Sequence, residues 1–267
     1  MAERYALGVQ YRGTQYCGWQ KQTHVDSVQE RLELALSKVA DHAIETTCAG
    51  RTDAGVHAIG QVVHFDSTSV RPDKAWVQGV NCLLPSTIRV SWVKQVNSTF
   101  SARFTAQSRR YQYLLHRSPI ASAFVADMVT RFPYALDSDA MQQAAKLLLG
   151  EQDFSSFRSV DCQSQTAMRC VHFVNIIEKP QYVIVDICAN AFLHHMVRNI
   201  VGTLLWIGQH KCTLSQFKDI LLAKDRTLAG PTAPANGLYL VAVQYPPAYD
   251  LPQFSKAGIG ALFHELD

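Results

Sequence analysis

One order of periodicities, met twice along the chain, restricts the fold more than any single motif. Between residues 5 and 96, strand-like alternation marks 5–11, 44–48, 61–66 and 88–96, with helical spacing at 27–40 and 72–83 between them. From about Gln107 the order recurs as a strand at 111–115, a helix at 137–150 and strands at 171–177 and 182–187. Helices at 192–207 and 214–222 and a strand at 238–243 complete it. Each half therefore reads β-α-β-β-α-β, with one extra helix in the second. That order predicts an α+β fold of two tandem ferredoxin-like halves, 1–104 and 105–267, joined around a central, mainly antiparallel sheet with an active-site cleft between them. The halves share a pattern and no visible residue identity. The first helix has the clearest start, because Ser27-Val28-Gln29-Glu30 fits a capping box and Val28, Leu32, Leu36 and Val39 fall on one face.

Composition is needed only to exclude classes. With 48% hydrophobic and 18% charged residues the chain can bury a core, so disorder is excluded as its main state. The longest apolar stretch, 191–208, contains Arg198, Asn199, His194 and His195, which suits a buried helix better than a membrane span. Met1-Ala2-Glu3-Arg4 runs straight into the first alternating segment, without the apolar run of a secretory leader. Seven scattered cysteines without a C-x-x-C pair read as reduced thiols of a cytoplasmic protein and exclude a zinc ribbon. A net charge of +3 permits an acidic partner without requiring one. Several long loops (12–24, 49–60, 117–132, 155–168 and 223–237) carry arginine or lysine, so positive charge can gather where phosphates would dock. His57, His64 and the His194-His195 pair lack metal-ligand spacing. Neighbours on a helix point about 100° apart, and no metal is expected.

Chemistry concentrates in Ala49-Gly50-Arg51-Thr52-Asp53-Ala54-Gly55-Val56-His57-Ala58, a loop between two strands with one carboxylate, one arginine and two glycines. Taken alone it reads as an Asp-x-Gly turn with Arg51 in solvent. The rest of the chain changes that reading. The decapeptide resembles, without a break, the signature loop of the TruA family of tRNA pseudouridine synthases. Further blocks extend the resemblance: Gly18-Trp19-Gln20, Ser27-Val28-Gln29, Phe100-Ser101-Ala102-Arg103-Phe104, Arg109-Arg110-Tyr111, Asp153-Phe154 with Phe157, the run from Phe192 to Gly202, and Gly237-Leu238-Tyr239-Leu240.

The resemblance implies isomerisation of uridine to pseudouridine in the tRNA anticodon stem-loop, at positions 38, 39 and 40, by a homodimer without cofactor. It makes Asp53 the catalytic carboxylate. Two roles remain open for it: capture of the sugar C1′ as the glycosidic bond breaks, or removal of the 2′ proton to give a glycal. A uracil must leave its stack before its sugar can be reached. Arg51 is the candidate to fill the gap or hold the flipped nucleotide, with a plain phosphate contact as the alternative. Tyr111 corresponds to the tyrosine that meets the target base, and Tyr113 is assigned to packing behind it. Leu238, or else Leu240, corresponds to the apolar residue under that base. Arg198, the only formal charge in 191–208, needs a carboxylate to answer it, and Asp53 is the expected partner.

Two rival readings belong to other classes. A catalytically silent RNA-binding module of RRM-like fold would share the strand order, but its RNP1-type aromatic string is absent from the sequence. An enzyme acting on a small nucleoside would use Asp53 and Arg198, but the many basic loop residues argue for a larger anionic substrate.

Overall fold

A computed structural model of the chain describes residues 2–252 and Ile259. It is a mixed α/β structure of two compact units, one formed by 1–107 and the stretch from Tyr239, the other by 108–238. The tail of the expected second half, 253–267 apart from Ile259, lies outside the described residues. Among the described residues no helix is long and apolar enough to cross a membrane.

In the first unit, β1 (Glu3–Tyr11) pairs antiparallel with both β3 (His57–Ser67) and β4 (Ile88–Val96). The sheet carries α1 (Val28–Ala40), which buries Val28, Leu32, Ala35, Leu36 and Ala40. The Ser27 hydroxyl caps α1 by accepting from Glu30 N, which is one arm of the expected box, and Asp41 ends the helix in the left-handed region at φ 61°. β2 is only Thr47–Cys48, paired with His64 and Val63 of β3, where five residues were expected. The reason lies in α1: Ser37 Oγ accepts from Ile44 N, and Glu33 Oε1 accepts from Thr46 N. The helix thus takes the donors that would have extended the ladder. Conversely, β3 starts four residues earlier than expected, at His57, so the end of the signature segment is strand rather than loop.

The helix expected at 72–83 is a π-helical stretch at Ala75–Gly79 followed by α2 (Val80–Leu83). It seats Trp76 against Tyr5 and Phe65, with ring centroids 5.4 and 5.1 Å away.

The second unit begins with β5 (Ser108–His116), and a two-residue β6 (Thr130–Arg131) pairs parallel to its end. Next come α3 (Ser138–Lys146), β7 (Gly150–Asp153), β8 (Met168–Glu178), β9 (Tyr182–Ala189), α4 (Met196–Gly208) and α5 (Leu214–Ala223). Within this unit the strands run in the order β5-β9-β8-β7, each neighbour antiparallel. Helix α3 stops before the expected 150, because Gly150 takes a left-handed φ of 85° and turns the chain into β7. The complete capping box of the molecule is at Thr213 and Gln216, where α5 starts.

A larger correction concerns α4. Expected from 192, it starts at Met196, because His195 is left-handed at φ 61° and lies in a turn closed by Met196 N onto Leu193 O. His194 and His195 are therefore not neighbours on a helix, and their rings lie 4.0 Å apart between centroids. The helical-spacing reason for setting them aside does not hold.

The last strand, β10 (Leu238–Gln244), joins the first unit: Tyr239 and Leu240 pair in parallel with His57 and Ala58 of β3.

Candidate active site

In the first unit the loop around Asp53 is held from three sides. Trp19 N donates to Thr52 O at 3.0 Å, while α1, whose first amides bond Gly18 O and Trp19 O, fixes that neighbouring segment. Gly18 stands at φ 88°, and a Cβ there would lie 2.7 Å from Thr52 O, so only glycine permits the two segments to lie this close. From below, Thr52 Oγ1 shares a hydrogen bond of 2.8 Å with Tyr11 Oη. Gln61, fully buried in β3, donates from Nε2 to Gly50 O (2.7 Å) and to Tyr11 Oη (3.3 Å). His57 at the strand start accepts from Gly13 N at 3.0 Å and stacks on Tyr239 with centroids 4.6 Å apart.

The outcome is an alternation imposed by these anchors: Arg51 exposed, Thr52 buried, Asp53 half-buried. Val56 N closes the turn onto Asp53 O at 3.1 Å. A carboxylate on a turn pinned at Gly50, Thr52 and Val56 is presented with little conformational freedom, which favours reaction at a defined geometry. Beside the loop, burial pushes the Cys48 thiol up to about 12 against the opposing charges of Arg51 and Arg103. That residue is an inert packing thiol at neutral pH.

In the second unit Tyr111 is buried on β5 opposite Ile187, with Phe192 edge-on to its ring at 5.1 Å. The turn that delays α4 is what delivers Phe192 there. Tyr113, on the same sheet face, is fully buried. Its hydroxyl meets Thr130 Oγ1 at 2.6 Å and donates to Pro234 O at 2.8 Å, and burial drives its pKa far up. It packs and anchors, in keeping with its assignment. Thr130 Oγ1 donates to Asn236 Oδ1, and Asn236 Nδ2 donates to Ala126 O and Val129 O. The 234–237 turn is thereby fixed just before Leu238, which is buried at the head of β10.

Arg198 lies in the first turn of α4, half-buried, and donates from Nε to Ala233 O at 2.7 Å, while Ala233 N donates back to Arg198 O. The segment 226–234 lies along α4 like a strap. Asn199, 1% exposed, is its hub: Oδ1 accepts from Arg226 and Thr232, and Nδ2 donates to Phe157 O. Gly202 makes the contact possible, since a Cβ there would sit 1.7 Å from Pro231 O. Tyr111, Arg198 and Leu238 thus belong to one unit, and Asp53 with Arg51 to the other.

The supporting roles of Tyr11, Gln61, Asn199, Thr232 and Asn236 carry no mark in the sequence. A polar residue at a strand or helix position looks the same whether it meets solvent or bridges segments distant in the chain.

A family model described as tRNA pseudouridine synthase matches residues 8–105 and 144–246, spanning both the Asp53 loop and the strap. The chain belongs to this family. The tRNA pseudouridine synthase A of Shewanella halifaxensis is 54% identical over 260 residues, covering 97% of this chain and 98% of its own. That of Colwellia psychrerythraea is 51% identical over 97% of this chain and 99% of its own, and that of Escherichia coli K12 is 54% identical over 97% and 95%. Among solved structures, an archaeal box H/ACA sRNP Nop10–Cbf5 complex is matched at a TM-score of 0.34 and 12% identity, covering 88% of this chain and 62% of that one. Likeness at that level bears on neither fold nor function. The family match stops short of 106–143, which includes Tyr111, whereas the full-length relatives span it.

Proposed function

We propose that this chain isomerises uridine to pseudouridine in tRNA, with the Asp53 carboxylate as the reacting group. The observation that carries the reading is the state of the signature loop. Every residue of it is present, and the loop is clamped by Trp19, Tyr11 and Gln61 so that Asp53 alone of its polar side chains is half-buried between an exposed and a buried neighbour. Near-full-length identity above 50% to three synthases supports the same chemistry. The glycosidic C–N bond breaks, uracil rotates, and its C5 bonds to C1′ while the C5 proton leaves. The carboxylate either captures C1′ or takes the 2′ proton, and both routes need it ionised.

Arg198 serves that requirement in this reading by pairing with Asp53, since a guanidinium beside a carboxylate favours the anion. Tyr111 and Leu238 bracket the uracil, and Arg51 occupies or guards the space that it leaves. A reaction without organic cofactor or metal belongs to the same reading, on family resemblance alone. The fine architecture we infer is two ferredoxin-like halves with the cleft between them. In support, the first unit has the strand order β4-β1-β3-β2 and the second has β5-β9-β8, the arrangement in which first and third strands are neighbours. A homodimer, a cytoplasmic location and the anticodon stem-loop positions 38, 39 and 40 as targets belong to the same reading, on family resemblance.

Unmodified tRNA transcripts incubated with the purified protein, then mapped by carbodiimide-dependent primer extension, report reaction and positions together. Wild type is expected to give stops in the anticodon arm. Asp53→Asn should retain tRNA binding within several-fold and fall below about 1% of wild-type turnover, because it keeps size and polarity but not the anion. Turnover above that level would remove Asp53 from the chemistry.

A further inference from the structure

Phe104 is a feature of the first unit that its fold does not explain. The segment 100–105 alternates sharply: Phe100 and Ala102 are fully buried, while Arg103 is exposed and Phe104 is 80% exposed. The exposure does not come from a loose loop. Phe100 packs against His64, Tyr245 and Tyr249, with ring centroids 6.1, 5.2 and 5.0 Å away. Ala102 is tied at both ends, its N donating to His64 Nδ1 at 3.1 Å and its O accepting from Tyr245 Oη at 2.7 Å. His64 must be neutral to accept, and burial, followed by the charge of Arg4, holds its pKa below the usual value. Thr105 N and Phe104 N both bond back to Ser101. A rigid turn therefore holds a benzyl ring out in water.

The ring has a cation on one face. The Arg103 guanidinium stands 5.2 Å from its centroid, and Arg103 and Arg51 both lie within electrostatic reach of the same buried thiol, Cys48. Single exposed apolar side chains are ordinary on protein surfaces, and Phe124 and Val160 are more exposed still. Phe104 differs from them in its fixed turn and its stacked guanidinium. A planar aromatic flanked by guanidinium charge fits an unstacked nucleobase and its phosphate, and it is the wrong surface for an apolar protein partner.

We infer that Arg103 and Phe104 form a second RNA contact on the first unit, a platform on which a base next to the reacting nucleotide stacks while Arg103 and Arg51 hold the flanking phosphates. This rests on the proposed tRNA substrate. It adds a binding group outside the catalytic set, one that would matter most while the target nucleotide is out of its stack and its neighbours need a new surface.

The test compares the full-length protein with Phe104→Ala, Phe104→Trp and Arg103→Gln, using an unmodified tRNA transcript and equilibrium binding at several salt concentrations. Phe104→Ala should weaken binding about tenfold and raise KM with it, and Phe104→Trp should restore both, because any large π-face will stack. Arg103→Gln should weaken binding and lower the log–log salt slope by about one, the signature of one lost phosphate contact. Because both side chains are exposed, thermal melting of the variants should match wild type and show that they fold. If wild type binds tRNA and Phe104→Ala binds it equally well, the platform is wrong while the enzymatic reading stands. If Phe104→Ala changes the sedimentation of the free protein and leaves tRNA affinity intact, the ring is a protein contact and the proposal falls. Failure of wild type to bind tRNA at all would overturn both readings.

Discussion

Arg198 shows what one residue reveals when charge is weighed against burial. A guanidinium on a helix whose other side chains are uncharged and mostly apolar costs free energy unless its donors are met. In the structure its Nε donates to a backbone carbonyl, Ala233 O, which helps to fix the plane of the group. A guanidinium held in a fixed plane suits a role toward an anion. Arg198→Met is therefore expected to lower turnover by about a hundredfold, the scale on which loss of one preorganised electrostatic donor is felt, with a milder loss of tRNA affinity. Arg198→Lys should recover little, because an ammonium cannot bond Ala233 O and also present a planar fork. Steady-state kinetics of the two variants against tRNA would decide. Near-normal turnover in the Met variant would make Arg198 a packing residue.

Among the elements, α4 and the strap on it carry the most consequence. Glycine at 202 is poor for helix stability, and alanine would improve propensity by about 1 kcal/mol. The added methyl would nevertheless meet Pro231 O, and overpacking of this kind costs about 1–3 kcal/mol. Gly202→Ala should therefore leave α4 helical by circular dichroism while forcing the strap outward. Turnover should then fall at least about tenfold with Ala233 displaced from Arg198. Full activity in that variant would show the strap to be passive.

The same region marks the limit of what could be read from sequence. The apolar period of 196–207 announced a helix, and Arg198 stood out within it by charge alone. Nothing announced the start at Met196, because a left-handed His195 obeys no sequence rule as a glycine would. Nor could the strap be read, since Asn199, Arg226 and Thr232 meet only in three dimensions. In the first unit the strands were legible by alternation, but β2 was shortened by Glu33 and Ser37, residues that look like ordinary helix surface. The Asp53 loop was legible because of its unbroken resemblance to a signature. The clamp of Tyr11, Gln61 and Gly18 that fixes it was not.

At the scale of the whole molecule, the units do not follow the chain. The sequence pattern suggested a simple succession, 1–104 and then 105–267, whereas β10 and the residues after it pack with β3 and Phe100 of the first unit. A fragment of 1–107 would lack the parallel partner of His57 and Ala58 and the two tyrosine rings that cover Phe100. It is expected to show no cooperative thermal transition, or one far below that of the intact chain, when followed by circular dichroism. A well-behaved fragment with a melting temperature near that of the full chain would show β10 to be dispensable.

That late return of the chain has a consequence for birth on the ribosome. The strand that pairs with His57 and Ala58, just after the Asp53 loop, is among the last described segments to emerge. Until β10 is made, His57 and Ala58 of β3 wait without their parallel partners, while more than a hundred residues of the second unit are being added. Waiting costs little at equilibrium, because loop closure grows only with the logarithm of length, but it costs time, and an open strand edge is a surface on which nascent chains can pair with each other. The segment that follows Asp53 thus gains its last strand partner, at His57 and Ala58, only after the second unit has been made.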